Sequence, residues 1–149
     1  MFCNDRTITA GAGYGRVTTD YRWTYDNAEI RLTCPEQNDR FTVDDESVGN
    51  GDLTYPIGLI TTDEARLAGG LNWNNANDKY YLFTGIEYWT MTPNGYSSEQ
   101  AFVNCVGANG GARSGNSAYK NYGVRPVINI KPGVLAKGSG SASDPWMVE

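Results

Sequence analysis

Apolar and polar positions alternate through much of this chain with a period of two, and Gly, Pro, Asn or Asp interrupts the alternation every few residues. That period puts successive side chains on opposite faces of a strand, so the pattern predicts short strands joined by turns. Arg22-Trp-Thr-Tyr25 and Glu29-Ile-Arg-Leu32 alternate in this way, and Pro35 stops the second. Phe41-Thr-Val43, Tyr80-Tyr-Leu-Phe83, Tyr88-Trp-Thr-Met91 and residues 100–106 read as further strands. Thr92-Pro-Asn-Gly95 and Asn50-Gly51-Asp52 read as turns. Ala108-Asn-Gly-Gly111 is a hairpin turn whose return strand runs through 112–119. Tyr55-Pro-Ile-Gly-Leu-Ile60 and residues 124–130 are apolar runs of strand length, the latter a core strand carrying Val127, Ile128 and Ile130.

One helix stands out against this background. Thr61 and Glu64 have the spacing of a capping box, and Asp63 adds negative charge to the first turn. Ala65, Leu67 and Ala68 supply an apolar face, and Gly69-Gly70 ends the helix. It is about two turns long, so tertiary packing must hold it. No internal repeat or second domain is apparent, and 149 residues suit one α+β domain with a real core.

Charge and missing residue types narrow the function. Net charge is −5, and 12 Lys+Arg give no basic patch for phosphate contacts, so nucleic acid is not an expected partner. No apolar run approaches the ~18 residues of a membrane span, so no membrane insertion is expected. The chain contains no histidine, which removes Ser-His-Asp and Cys-His catalysis and histidine-based zinc sites. Gly11-Ala-Gly-Tyr-Gly15 is a turn, since neither a strand nor a helix flanks it as a dinucleotide site requires. Asp63 and Glu64 belong to the helix start, and Asp44-Asp45-Glu46 reads as a solvated loop. Glu87 beside Tyr88 and Trp89 is a structural strand-end carboxylate. Asn74, Asn75, Asn77 and Asp78, or Asp44 with Asp45, offer oxygens for calcium but lack EF-hand spacing, so turn chemistry is favoured. No catalytic residue, metal or cofactor is expected.

Three cysteines allow one bridge and one spare thiol, or three reduced thiols. The favoured bridge is Cys3–Cys34, which closes a loop of roughly 30 residues worth about 3–4 kcal/mol in the chain-entropy model. Cys105 is then the spare. Abundant Gly and Tyr with few charges fit an extracellular β-rich domain. No export signal is seen at Met1-Phe2-Cys3, and the expectation is a segment of a longer surface protein whose signal or anchor lies elsewhere.

Residues 87–129 combine two apolar clamps with a middle rich in Asn, Gly, Ser and Tyr. Such a division suggests a scaffold carrying a polar face, and hence binding. Within 94–121, Tyr96 and Tyr119 offer rigid amphipathic area. Glu99, Arg113 and Lys120 offer charge complementarity. Asn94, Ser97, Ser98, Asn104, Asn109, Ser114, Asn116 and Ser117 offer adaptable hydrogen bonds. Trp89, Phe102, Val103, Tyr122 and Val127 are expected in the core, and Arg125 in a structural ion pair.

Three ordered motifs carry a resemblance: residues 55–70, Tyr88-Trp-Thr-Met-Thr-Pro93 and Gly123-Val-Arg-Pro-Val-Ile-Asn129. Cys3-Asn-Asp-Arg6, Cys34-Pro35, Gly138-Ser-Gly140 and Asp144-Pro-Trp146 extend it over nearly the whole chain. The chain resembles a C-type lectin-like domain family of gut bacterial surface proteins, in the branch that also holds the formylglycine-generating enzyme. That branch is similar to the variable proteins of diversity-generating retroelements. The resemblance implies short twisted sheets, few helices and long loops, with ligand recognition on a cell or virion surface. The implied partner is a protein or cell-surface ligand, bound by residues 94–121, where a diversified segment would sit. Calcium-dependent sugar-binding tripeptides are missing and Cys105 stands without a second nearby cysteine, so neither lectin nor oxidase activity carries over.

Overall fold

The computed structural model describes residues 2–3, 17–18, 30–34, 36–42, 47, 49–70, 77–97, 99–130, 134–139, 141 and 143–148. The expected turn at 11–15, the strand at 22–25, the acidic run 44–46 and Asn74 and Asn75 lie outside them.

Small antiparallel sheets and one short helix make an α+β domain. The largest sheet has four strands in the order β2 (Val17–Thr18), β5 (Tyr88–Ser97), β6 (Gln100–Val106), β7 (Ala112–Ser117). Two-stranded sheets pair β1 (Phe2–Cys3) with β3 (Arg40–Phe41), β4 (Ile57–Leu59) with β8 (Pro126–Ile128), and β9 (Leu135–Lys137) with β10 (Met147–Val148). Helix α1 spans Thr62–Leu67 and follows β4 directly.

The helix begins as its sequence dictates. Glu64 N–H donates to Thr61 Oγ1, and Glu64 Oε2 accepts from Thr61 N–H at 2.8 Å. Thr62, Asp63 and Ala65 of the helix are buried, and Asp63 Oδ1 accepts from Arg31 N–H at 3.0 Å. Tyr88, Thr90 and Thr92 alternate along β5 and are buried. A two-residue period puts them on one face, with Val106 and Ala65 completing the core together with Tyr80.

A chain of hydroxyls joins helix and sheet. Thr62 N–H donates to Thr92 Oγ1 at 2.9 Å, and Thr90 Oγ1 donates to the Asn104 carbonyl at 2.8 Å. A hydroxyl has one hydrogen and two lone pairs. Thr62 must therefore donate across the 3.2 Å contact between the Thr62 and Thr90 hydroxyls. Thr92 N–H fills the second lone pair of Thr90. Every hydrogen-bonding site on the Thr90 hydroxyl is used in the interior.

Several expected elements changed. Thr92-Pro-Asn-Gly95 is not a turn; β5 runs straight through it. Pro93 is tolerated because it faces Val103 where the register shifts on both sides, and β2 pairs with β5 only at Gly95 and Tyr96. The reversal falls between Ser97 and Gln100, with Glu99 at φ 63°. Residues 80–83 form a bend and turn instead of a strand, although Tyr80 is buried. Ile128 and Ile130 are exposed, not core, because β8 pairs with β4 in a separate two-stranded sheet. Trp89, Phe102, Val103, Tyr122 and Val127 are half-buried. The Cys3–Cys34 disulfide is present, with Cα atoms 5.5 Å apart, and Cys105 is a buried free thiol. Among the described residues no helix is long and apolar enough to cross a membrane.

Replacing Thr90 by Val keeps its shape but strands the Thr62 hydroxyl, the Thr92 N–H and the Asn104 carbonyl. The expected loss is about 1–3 kcal/mol of unfolding free energy in urea titration, with Thr90→Ser, which keeps the hydroxyl, closer to the parent.

Candidate functional site

Strand direction decides which of the candidate residues meet. Strand β6 starts at the β5–β6 hairpin and runs inward to Val106; the 107–111 turn reverses it, and β7 runs back out. The sheet thus has a tip, near Tyr96, Gln100 and Ser117, and a root, near Tyr88, Val106 and Ala112. The root is buried and the tip is exposed. Seven residues of β6 separate the two ends by about 20 Å.

Tyr96, Ser97, Glu99, Ser117, Tyr119 and Lys120 belong to the tip, with half-buried Asn94 on its approach. Tyr96 pairs across the ladder with Ala101, and Ala118 N–H donates to the Ala101 carbonyl at 2.9 Å. A transverse row, Tyr96–Ala101–Ala118, therefore crosses three adjacent chain segments. Tyr96 is 45% exposed and Tyr119 68% exposed, and Lys120 Nζ lies 5.3 Å from the Tyr119 ring centroid. Ser117 Oγ donates to Gln100 Oε1 at 3.0 Å, tying β7 to β6. The sequence reading missed the exposed Ala101 and Ala118, which flatten the surface beside Tyr96. Their alignment follows from register, and nothing in their own chemistry marks them. An apolar hollow of 340 Å³, lined by Leu59, Trp89, Thr90, Met91, Val103 and Ala118, adjoins this row. Trp89 is held there against Tyr122, with ring centroids 4.7 Å apart.

Other candidates are not at the tip. Asn104 is a correction: it is 1% exposed and sits in the interior. Both flanking strands bulge opposite it: three residues of β5, between Trp89 and Pro93, and two of β7, between Arg113 and Asn116, face this one residue. These bulges bend the sheet at Asn104. Its side-chain Oδ1 and Nδ2 have no hydrogen-bond partner among the described residues. Asn109 lies in the turn at the root, where its Oδ1 accepts from Gly111 N–H at 3.1 Å. Arg113 is on β7 next to the root, its backbone opposite Cys105. Ser114 and Asn116 follow along β7, and Ser98 lies outside the described residues. Asn77, considered for calcium, spends its amide on structure: Nδ2 donates to the Gly69 carbonyl and Oδ1 accepts from Lys79 N–H.

Arg125 also departs from expectation. Among the described residues its partners are the Leu82 carbonyl and the face of Tyr88, 4.8 Å from the guanidinium carbon, not a carboxylate. Tyr88 in turn meets Tyr80, hydroxyl to hydroxyl, at 3.5 Å. Burial, and then the Tyr88 hydroxyl, push the Tyr80 phenol well above its ordinary pKa of 10.0, against a small opposing pull from Arg125.

Two outcomes follow. Tyr80 stays protonated in the fold while the unfolded phenol ionises near pH 10. Its contribution is complete below that pH and is lost as pH rises beyond it. Stability should fall through pH 10–11, and Tyr80→Phe should flatten that decline in denaturant midpoints measured across the range. Asn104→Leu, which keeps the branching and removes the orphaned amide, should raise unfolding free energy by about 1–3 kcal/mol. Lower stability on urea titration would show that the amide has a partner in solution.

Residues 57–132, just over half of the chain, match the model of a family described as a domain of unknown function (DUF6273). No curated protein and no solved structure matches the chain. The matched stretch contains β4, α1, the hairpins from β5 to β7, and β8, and so both the hydroxyl relay and the exposed tip. The chain belongs to the DUF6273 family.

Proposed function

We propose that this domain is a ligand-binding module of C-type lectin-like fold, displayed on a cell or virion surface, with the tip of its largest sheet as the recognition face. The observation that carries the reading is the gradient along one sheet. Its root is closed by buried side chains, while its tip presents Tyr96, Tyr119 and Lys120 on a floor of Ala101 and Ala118. Rigid tyrosines beside small residues give contact area at low entropic cost, and a closed root lets the tip change without unfolding the domain. The Cys3–Cys34 bridge suits an oxidising, extracellular setting.

The sharper form is a variable protein diversified by a retroelement across 94–121. The ligand is a protein or another cell-surface molecule, and the module performs no catalysis. A second reading is a structural display module within a larger surface or pilus-like protein. Exposed Leu32, Leu67, Tyr81 and Ile128 around one groove favour it, since clustered apolar side chains mark contact surfaces.

Sister chains from related genomes separate the two. Under the binding reading their substitutions concentrate at tip positions such as 96, 99, 119 and 120, beside a reverse transcriptase gene and an adenine-rich copy of those codons. Substitutions spread evenly over all loops reject it. On a ligand found by surface display, Tyr96→Ala with Tyr119→Ala should weaken binding by about 2 kcal/mol or more at an unchanged melting temperature.

A further inference from the structure

Phe2 lines three separate hollows. One, of 60 Å³, is shared with Cys3, Cys34, Thr61 and Asp63. A second, of 580 Å³, is shared with Leu32, Leu67, Tyr81 and Ile128. The third, of 320 Å³, is shared with Phe41, Leu53, Ile57 and Met91. The Phe2 ring is the partition between them, and it is buried. It rests on Gly58 so closely that a Cβ at that position would lie 2.6 Å from the ring. The trough under the ring is thus made for an aromatic side chain, and a glycine provides its depth.

Among the described residues, the backbone pairing that holds the ring is short. Strand β1 has two residues, and its pairing is Phe2 with Phe41 and Cys3 with Arg40, in an equally short β3. So short a pair does not persist in water alone. Cys3, adjacent to the ring in the chain, is bridged to Cys34. The family match at 57–132 includes the floor of the trough, from Ile57 to Ile60 with Val127 and Ile128, and excludes Phe2, Cys3 and Cys34. Floor and plug therefore come from different parts of the chain, and the Cys3–Cys34 disulfide ties the plug's strand to the segment before Glu36.

We propose that Phe2 is a plug latched by the Cys3–Cys34 disulfide, and that reduction of this bond releases the ring and opens an apolar trough over Gly58. A dithiol supplies the two electrons. Its sulfurs join as a disulfide while the Cys3–Cys34 bond breaks, and its two protons pass to the released sulfurs as thiols. In the oxidised state the chain occupies its own trough. In the reduced state the floor at Gly58 and Ile60 joins the exposed rim of Leu32, Leu67, Tyr81 and Ile128 in one continuous groove.

Hydrogen exchange and the fluorescence of a hydrophobic naphthalene sulfonate dye test this on the full chain, oxidised and after dithiothreitol. On reduction, amides at 40–42 and 57–59 should exchange about tenfold faster or more. Dye fluorescence should rise several-fold, and protection across 88–106 should persist. Reoxidation should restore the starting state. Oxidised Phe2→Ala should bind the dye without reduction, because it removes the plug and keeps the latch. Cys3→Ser with Cys34→Ser should match the reduced protein. Unchanged exchange at 40–42 and 57–59 on reduction overturns the proposal, as does failure of Phe2→Ala to bind dye. So does loss of protection through 88–106 in the reduced protein or in the serine variant, which would make the bond a staple of the whole fold.

Discussion

Helix α1 has six residues, too few to persist in water, and it stands in place because the sheet consumes its polar groups. The N–H of Thr62, one of the unpaired donors at a helix start, goes to Thr92 Oγ1. The Thr62 hydroxyl goes to Thr90, which passes its own hydrogen to the Asn104 carbonyl. Met91 N–H takes the Ile60 carbonyl, so the residue before the helix cap is bound to the same strand. In a dry interior each of these groups would be costly if left alone. The relay therefore sets the distance and the angle of α1 against β5 and β6, and Ala65, Tyr88 and Val106 pack within that geometry.

The bend at Asn104 has its cause in the same place. Thr90 faces the Asn104 carbonyl, and the strands on either side carry extra residues there. The inner half of the sheet lies under the helix and the outer half leaves it. The exposed tip is a consequence of this division: past the bend the face beside Tyr96 carries Ala101 and Ala118, with no helix over it. The proposed recognition face and the core share strands but not side chains.

Much of the local structure was legible in the sequence, and the legible parts share a short range. The capping box at Thr61 and Glu64 needs three residues of context, and the reversal at 107–111 needs a glycine able to take positive φ, which Gly110 does at 80°. The Cys3–Cys34 bridge spans 31 residues, and the sequence favoured it over three reduced thiols without deciding between them. The misreadings concern partners far away in sequence. Thr92-Pro-Asn-Gly95 has turn chemistry, yet pairing with β6 and β2 keeps it extended. Asn104 has surface chemistry, yet the flanking bulges and the helix above bury it. Arg125 is placed by the ring of Tyr88 and the carbonyl of Leu82, and neither is near it in the chain.

By itself the sequence determined the α+β class, the single capped helix and the region in which polar and aromatic residues gather, because composition and i to i+4 spacing decide these. Tertiary structure alone decided which of those polar residues share a surface. A strand turns every second side chain to the opposite face, and one bulge reverses that assignment for all that follows. Its place beside Thr90, under the helix, keeps Asn104 inward, and the direction of β6 carried Asn109 to the far end of the sheet from Tyr96.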